Sequence, residues 1–390
     1  MKIGFIGIGK LGKDVAEVMS ENHDVVGYDI NKVDTTLSIT NNLSEAVKGK
    51  DFVFVAVPTP HDQDYDGKYP TSHLKPKDFD YEILINVTKE ISELVDQKTL
   101  IILISTVLPG TIRKQIMPIL KGKRFIYNPY LIAQGTVKSD FLNPEMIIIG
   151  NENGKADNDV KELFEFYKEI IKNPRIEFGT WEEAESIKIF YNTFITTKLC
   201  LVNMIQDVAE KIKNMNVDVV TEALKNSSMR IMGPSYMKAG FGDGGGCHPR
   251  DNIALRWLAE DLNLGYDLFS SIMISREAQA KNMALKCLEY DYDLVILGKS
   301  FKPGLVNQDE GSPSILVGWF VENLSKGNKK VFYDTEPDKN KPFVYLIHDN
   351  KLFKNHNYNR NSIVIDPHRE QLATNRDDLT IIHYGNSRFK

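Results

Sequence analysis

The chain has 390 residues, of which 48 are basic, 53 are acidic and 42% are apolar, and its formal net charge is −5. This is the composition of an ordinary globular protein with two or three domains, which excludes an intrinsically disordered chain. Basic residues are scattered rather than gathered into a stripe, so we expect neither a nucleic acid nor a membrane as a partner.

The first residues, MKIGFIGIGKLG, form an apolar stretch too short for a membrane span and unlike a signal peptide. The chain has three cysteines, an odd number in a long sequence, which argues against a disulfide framework. We therefore expect a cytoplasmic protein. The sequence indicates no metal site.

Short apolar runs alternate with amphipathic stretches over the first 180 residues and predict a parallel sheet with helical crossovers. The predicted strands are Lys2 to Ile6, Asp24 to Asp29, Asp51 to Val57, Thr99 to Ser105, Arg124 to Tyr127 and Met146 to Gly150. We assign residues 1–180 to a first α/β domain.

Helical periodicity replaces this pattern from Trp181 to about Lys213 and from Asn252 to about Glu289, which predicts a central helical region at residues 181–289. Strand-like runs then return at Asp293 to Leu297, Lys330 to Asp334, Val344 to His348, Ser362 to Asp366 and Thr380 to Tyr384. These runs predict a second α/β domain at residues 290–390.

A dinucleotide-binding pattern opens the chain. Gly7, Gly9 and Gly12 form GxGxxG directly after the first predicted strand, and Asp29 ends the second. Such glycines allow a tight turn, close approach of the backbone to a pyrophosphate, and close packing of the following helix. The Asp29 carboxylate would bind the adenosine ribose hydroxyls and repel a 2′-phosphate, which favours NAD over NADP. The other predicted cofactor-binding residues are Lys10, Leu11, Pro58, Thr59 and Thr106.

The segment GFGDGGGCHPRD, residues 240–251, is the densest chemical signal. Glycines crowd Cys247, and Pro249 favours the first turn of a helix. A thiol at a helix N-terminus has a lowered pKa and a larger thiolate fraction, so we predict that Cys247 is a nucleophile. Asp251, four residues later, would share its helical face if the helix begins by then.

A polar pair, Lys188 and Asn192, lies four residues apart in the predicted helix ESIKIFYNTF. Such a pair is most often a solvated face, but this helix is otherwise apolar and rich in aromatic residues. The remaining cysteines, Cys200 and Cys287, lie in apolar helical patterns and are predicted core residues.

Taken together, these motifs resemble those of the nucleotide-sugar 6-dehydrogenase family, whose members oxidise UDP-glucose, GDP-mannose or UDP-N-acetylhexosamines. The resemblance covers nearly the whole chain. It is carried in order by the GxGxxG at Gly7, VPTP at Val57 to Pro60, STVLPGT at Ser105 to Thr111, NPYLIAQGT at Asn128 to Thr136, the Lys188 and Asn192 helix, GGGCHPRD at Gly244 to Asp251, and GKSFKPG at Gly298 to Gly304.

The resemblance implies two Rossmann-like parallel-sheet domains joined by a central helical dimerisation region, with NAD in the first domain and the nucleotide diphosphate in the last. The implied reaction is a four-electron oxidation of a C6 alcohol to a uronic acid, with UDP-glucose to UDP-glucuronate as the first interpretation. Cys247 would be the nucleophile, Lys188 and Asn192 would stabilise oxyanions, and Asp251 with Thr106 would position water. The implied substrate-binding residues are Tyr130, Leu131, Gln134, Lys188, Asn192, Phe241, Gly244 and Lys302.

The chain departs from the family pattern inside the implied active site. Tyr130 and Gln134 stand where family members have glutamates, and neither can be a carboxylate base. After Lys302 the chain reads LVNQDEG before Ser312, without the family's arginine. Hydrolysis could then rely on Asp251 alone, the sugar pocket could be altered, or activity could be impaired.

Other interpretations also stay open. They are a UDP-N-acetylhexosamine or GDP-mannose 6-dehydrogenase, a catalytically weakened protein that binds NAD and a nucleotide sugar, and a two-electron β-hydroxyacid dehydrogenase. The last would need neither Cys247 nor a second α/β domain.

Overall fold

The alternation of strands and helices predicted for both ends of the chain is present in a computed structural model. It describes residues 1–60, 70–75, 77–212, 214–233, 239–243, 245, 247–302, 304, 309, 311–371 and 376–386, with backbone alone for 247 and 250. The chain divides into two units, Met1–Thr197 and Lys198–Lys390. The three-domain division stays a prediction.

The first unit contains one sheet and its covering helices. Its strands are β1 Lys2–Ile6, β2 Asp24–Tyr28, β3 Ser38–Thr40, β4 Phe52–Val55, β5 Leu100–Leu103, β6 Arg124–Tyr127, β7 Ile147–Asn151 and β8 Ile176–Thr180. Its helices are α1 Gly12–Ser20, α2 Leu43–Val47, α3 Glu82–Leu94, α4 Val137–Leu142 and α5 Asn158–Ile170, with a π-helical turn at Ile112–Ile116 and the start of α6 Trp181–Lys211.

The strand order is β3-β2-β1-β4-β5-β6-β7-β8. The first six strands follow the order of a dinucleotide-binding Rossmann sheet. Four of them end in register, because Ile6 pairs with Tyr28 and Val55, and Val55 pairs with Leu103. The loops after β1, β2, β4 and β5 therefore leave the sheet at one edge, where open α/β sheets bind ligands.

Apolar residues cover both faces of this sheet, which is why its strands read as continuous apolar runs. Along β4, Phe52 and Phe54 contribute to the core on one face, whereas Val53 and Val55 contribute to the core on the other. Their side chains alternate because successive residues of a strand point to opposite faces.

The second unit has a sheet of its own. Its strands are β9 Leu294–Leu297, β10 Val331–Tyr333, β11 Val344–Ile347, β12 Ser362–Asp366 and β13 Leu379–His383. Its helices, after the end of α6, are α7 Val217–Lys225, α8 Cys247–Asp261, α9 Leu268–Leu288 and α10 Pro313–Leu324. The sheet is parallel, in the order β10-β9-β11-β12-β13. This is the flavodoxin-like doubly wound order, with its switch point between β9 and β11.

Three features of the fold differ from the expectations. Strands β3 and β8 were not predicted, because they are short and their residues are mostly half-buried or exposed. Strand β7 pairs with β6 antiparallel, so the first sheet is not wholly parallel. The helical run predicted from Asn252 to Glu289 is two helices, because Gly265 adopts a left-handed φ of 83° and the Asp267 side chain caps the start of α9.

The prediction for Cys200 was wrong. This residue is exposed on α6, as are its apolar neighbours Leu199 and Leu201, so an apolar helical pattern does not by itself mean burial here, whereas Cys287 is buried in the second unit. Burial raises the pKa of the Cys287 thiol to about 12. Among the residues that the structure describes, none of the helices combines the length and apolar content needed to cross a membrane.

Candidate cofactor and catalytic site

A cavity of about 640 Å³ lies at the carboxyl edge of the first sheet. Twelve of the residues predicted from sequence line it: Gly7, Gly9, Lys10, Leu11, Gly12, Asp29, Pro58, Thr59, Thr106, Tyr130, Gln134 and Lys188. They come from the loops after β1, β2, β4, β5 and β6 and from helix α6. The register of the strands thus gathers side chains that are far apart in sequence.

The glycine loop fits a dinucleotide. Gly7 has a φ of 97°, and a Cβ on Gly12 would lie 2.0 Å from the Gly7 carbonyl oxygen, so neither position accommodates a side chain. A Cβ on Gly9 would meet nothing within 4 Å, so this backbone borders open space. No described side chain caps the start of α1, so no capping side chain competes with a phosphate at this helix N-terminus.

Asp29 is held in place by the backbone around it. Its Oδ2 accepts a hydrogen bond from the Ile8 amide at 3.0 Å, and its Oδ1 accepts one from the Asn31 amide at 2.8 Å. A fixed carboxylate at the end of β2 is the group that binds the ribose hydroxyls of NAD in this type of sheet. The residues present therefore fit NAD.

The loops after β4 and β5 are joined by two side-chain hydrogen bonds. The Thr59 hydroxyl donates to the Thr106 carbonyl oxygen at 2.7 Å, and the Ser105 hydroxyl donates to the Val57 carbonyl oxygen at 2.6 Å. Because Thr59 and Thr106 both line the cavity, these bonds fix the shape of its wall.

Lys188 supplies a cation to the cavity. Its ammonium donates a hydrogen bond to the Tyr130 carbonyl oxygen at 2.7 Å, and burial lowers the pKa of Lys188. An ammonium in such a position can stabilise an oxyanion that develops on a bound substrate.

The Tyr130 phenol does not replace a carboxylate base. Its hydroxyl is bonded to the Tyr167 hydroxyl at 3.0 Å, and its ring packs against Phe141 in the core. A tyrosine phenol is already protonated at neutral pH, and burial raises the pKa of Tyr130 further. The cavity thus receives the Tyr130 backbone carbonyl rather than an ionised side chain.

Two predicted substrate-binding residues of this unit do not line the cavity. Asn192 is exposed on α6, one turn beyond Lys188, and Leu131 packs against the core of the sheet. Their proposed contacts with substrate stay predictions.

Sequence reasoning missed Glu185. This fully buried carboxylate lies one turn before Lys188 on α6 and accepts hydrogen bonds from the Gly110 amide at 2.5 Å and the Ile112 amide at 2.8 Å. In the sequence WEEAES, Glu185 cannot be distinguished from Glu182 and Glu183, which are only half-buried. A signal existed only in STVLPGT, where the turn before the π-helical segment leaves amides that need an acceptor.

The predicted nucleophile lies in the second unit. Cys247 is the first residue of α8, and Asp251 lies one turn later in the same helix, where it is exposed. The side chain of Cys247 and the whole of Gly244 lie outside the described residues. Lys302 is exposed in the loop after β9.

Phe241 packs at the carboxyl edge of the second sheet. Its ring meets the buried His348 ring edge-on, with centroids 4.5 Å apart, and the His368 ring lies 5.8 Å from it. The His368 Nε2 lies 3.0 Å from the His348 carbonyl oxygen, which ties the loop after β12 to the end of β11. Phe241 thus belongs to a packed aromatic cluster that includes two imidazoles.

The chain matches two domains of one known family. Residues 31–170 match the NAD binding domain of the UDP-glucose/GDP-mannose dehydrogenase family, and residues 182–277 match its central domain. The two matches together cover more than half of the chain.

Individual relatives agree with this match. The chain is 27% identical to a GDP-mannose 6-dehydrogenase of Pseudomonas putida, over 98% of this chain and 90% of that protein. It is 27% identical to a UDP-glucose 6-dehydrogenase of Bacillus subtilis, over 73% of this chain and 60% of that protein. A crystal structure of a ternary complex of GDP-mannose dehydrogenase from Pseudomonas aeruginosa is similar with a TM-score of 0.80 at 21% identity, over 98% of this chain and 99% of that chain. This similarity confirms the predicted fold class.

Proposed function

This chain belongs to the UDP-glucose/GDP-mannose dehydrogenase family, and on that premise we propose that it oxidises the C6 alcohol of a nucleotide sugar to the uronic acid in two NAD-dependent steps. The family and the NAD-binding domain inferred from the motifs are both confirmed. The observation that carries the proposal is a shared cavity: the Gly7 to Gly12 loop and the Lys188 ammonium border the same space.

The first unit would hold the cofactor and polarise the substrate. The α1 amides and Gly9 would receive the pyrophosphate, and Asp29 would receive the ribose. Bound NAD supplies the acceptor for the hydride that leaves C6 in each oxidation. The Lys188 ammonium would stabilise the alkoxide of the substrate, because its burial strengthens its interaction with a nearby negative charge.

The covalent steps are assigned to Cys247. Its thiolate would add to the C6 aldehyde carbon and form a thiohemiacetal, which the second oxidation converts to a thioester. Water would then attack the thioester carbonyl, releasing the uronic acid and returning the thiol. Asp251, one helical turn from Cys247, and Thr106 would position this water. Asn192 would join Lys188 in stabilising the oxyanion.

The candidate sugar nucleotides are UDP-glucose, GDP-mannose and a UDP-N-acetylhexosamine. UDP-glucose is the first interpretation of the sequence. GDP-mannose is favoured by a specific observation, because the relative that matches over 98% of this chain is named for it. Phe241, Lys302, Gln134 and the Tyr130 segment are proposed to contribute to the substrate pocket.

The test is the stoichiometry of NADH formed per sugar consumed. Purified protein with excess NAD is given limiting UDP-glucose, GDP-mannose or a UDP-N-acetylhexosamine, and the reaction is followed to completion at 340 nm. Two NADH per sugar with one donor supports the proposal and identifies the substrate. One NADH per molecule would indicate a two-electron dehydrogenase. No NADH with any donor, although calorimetry shows binding of NAD and the donor, would favour a catalytically weakened binding protein.

We also propose a homodimer. Apolar side chains on α6 are exposed, including Phe190 at 64%, Phe194 at 55% and Leu199 at 54%. Phe190 and Phe194 are one turn apart and therefore lie on one helix face, which a second copy would cover. Sedimentation velocity at micromolar concentration should give the mass of a dimer, and a monomer would contradict this proposal.

A further inference from the structure

A network of hydrogen bonds connects Tyr130, whose backbone carbonyl oxygen binds Lys188, with Tyr167 and Asn128. The Tyr167 hydroxyl donates to Asn128 Oδ1, and Asn128 Nδ2 donates to the Ile148 carbonyl oxygen of β7 at 2.7 Å. A phenol has one hydrogen to donate, and that of Tyr167 is used in the bond to Asn128. The Tyr130 hydroxyl must therefore donate to the Tyr167 oxygen, 3.0 Å away. The donor and the acceptor of each hydrogen bond in this network are thereby assigned.

This hydrogen-bond network lies where the first sheet changes from parallel to antiparallel strand pairing. Strands β6 and β7 are antiparallel and share a single residue pair, Tyr127 with Gly150. Asn128 follows β6 directly, and its amide donates to the Leu103 carbonyl oxygen of β5 at 2.8 Å. Its side chain reaches β7, so Asn128 connects three strands at the point where backbone pairing is sparse. Asn128 is fully buried and Tyr167 is 1% exposed, which makes these bonds strong and costly to lose.

The hydrogen-bond network ends at Tyr130, the residue whose carbonyl oxygen binds Lys188. The Tyr130 hydroxyl is hydrogen-bonded to Tyr167 in the core, whereas the Tyr130 carbonyl oxygen accepts a hydrogen bond from the Lys188 ammonium at 2.7 Å. The side chain of Tyr130 therefore restrains the backbone that carries the carbonyl. Tyr167 itself is not among the described residues that line the cavity.

We propose that Tyr167 is a positioning residue, which holds the Tyr130 carbonyl oxygen in place through the Tyr130 hydroxyl and so fixes the Lys188 ammonium in the cavity. The inference rests on the proposed function, because the role of Lys188 is part of it. It also explains how this protein uses a tyrosine at position 130: the phenol is a structural support, and the backbone carbonyl is the functional group.

The test compares Tyr167→Phe and Tyr130→Phe with the matched control Tyr358→Phe. The Tyr358 side chain is buried in the second unit, and its hydroxyl has no hydrogen-bond partner among the described residues. Tyr167→Phe should lower kcat about tenfold, while the KM for NAD changes less than about twofold, because the glycine loop that would bind NAD is not part of the hydrogen-bond network. The kcat of the double variant should be no lower than that of Tyr167→Phe, because both substitutions disrupt the same hydrogen-bond network. The control should keep both constants.

A second measurement does not depend on turnover. Hydrogen–deuterium exchange of the peptide spanning residues 128–136 should be faster in Tyr167→Phe and unchanged in Tyr358→Phe. Unchanged exchange would overturn the inference, and so would faster exchange with a wild-type kcat. If no donor gives NADH even with the wild-type protein, the proposed function fails by itself, and exchange still decides whether Tyr167 restrains the segment. If Tyr167→Phe does not fold, Tyr130→Phe, which keeps the bond from Tyr167 to Asn128, serves in both measurements.

Discussion

Glu185 accepts a hydrogen bond from the backbone amide of Ile112 across 2.8 Å, and this contact fastens the loop that carries Thr106 to the helix that carries Lys188. The Gly110 amide donates to the same carboxylate, so one side chain satisfies two amides at the start of the π-helical turn. Two cavity residues from distant parts of the sequence are held together by a group that does not line the cavity.

Glu185→Gln should destabilise the protein by about 1–3 kcal/mol, because the new amide group presents a donor to a buried backbone donor. Glu182→Gln is the matched control. Its carboxylate pairs with Arg113 at a partly exposed site, where an ion pair contributes about 1 kcal/mol or less. Urea unfolding of both variants measures the difference. Equal losses would show that the buried contact has no special weight.

Gly9→Ala and Gly12→Ala should have opposite consequences. A methyl group on Gly9 meets no protein atom within 4 Å but enters the space assigned to the pyrophosphate, so NAD binding should weaken by about tenfold or more at an unchanged melting temperature. A methyl group on Gly12 would lie 2.0 Å from the Gly7 carbonyl oxygen, so the melting temperature should fall. Calorimetric titration and thermal melts test the pair. An unchanged affinity of Gly9→Ala for NAD would contradict the assigned site.

Asp29→Ala should weaken NAD binding far more than NADP binding, because the carboxylate is proposed to bind the ribose hydroxyls of NAD and to repel the 2′-phosphate of NADP. We expect about a tenfold loss for NAD. Asp29→Asn is the control for local structure, since its amide oxygen can still accept the Ile8 amide. Affinities for both cofactors are measured by fluorescence titration. A loss of equal size for the two would refute the role of Asp29.

Cys247→Ala should abolish formation of the uronic acid, with a loss of at least about a thousandfold, while NAD binding is retained. Cys287→Ala is the control, because the Cys287 thiol is buried with a pKa raised to about 12 and is not ionised at neutral pH. Product is measured by mass spectrometry. Wild-type turnover in Cys247→Ala would remove the thioester mechanism.

His348 should make the second unit sensitive to acid. Burial lowers the pKa of His348 from 6.5 to about 4, and its Nδ1 lies 2.9 Å from the Gly298 carbonyl oxygen, so the folded protein holds a neutral imidazole. The unfolded state then binds more protons between these two values. The stabilisation is full above pH 6.5 and is lost as the pH falls towards 4.

Between pH 7 and pH 5 this linkage should remove about 2 kcal/mol of the free energy of unfolding. In His348→Gln that part of the pH dependence should be missing, because glutamine does not titrate in this range. Urea unfolding at both pH values gives the difference. A variant with the same pH slope as the wild-type protein would contradict the assignment.

The strands were predictable where burial is two-sided. Strand β1 begins and ends as predicted, and β4 lies within the predicted run, because a strand covered on both faces is apolar throughout. Strand β8 was missed, since only two of its five residues are buried and the apolar pattern is weak. The antiparallel direction of β7 was also missed, because a local sequence pattern does not state which way a strand runs.

The cofactor residues were predictable for a similar reason. Gly7, Gly9 and Gly12 act within one turn, so their roles depend on local backbone geometry that the spacing already states. Glu185 and Tyr167 were not predictable. Glu185 contacts a residue 75 positions away and Tyr167 contacts one 39 positions away, and neither contact has a local pattern.

The resemblance of the sequence motifs determined the family, and short-range spacing and periodicity determined the dinucleotide loop, the alternation of strands and helices at both ends of the chain, and the residue types available for catalysis. Only the tertiary structure decided what surrounds those residues. Lys188 meets the carbonyl of Tyr130, 58 positions away, and the phenol of Tyr130 enters the core instead of the cavity. Such contacts depend on which strands become neighbours, and this is fixed by packing of the whole sheet.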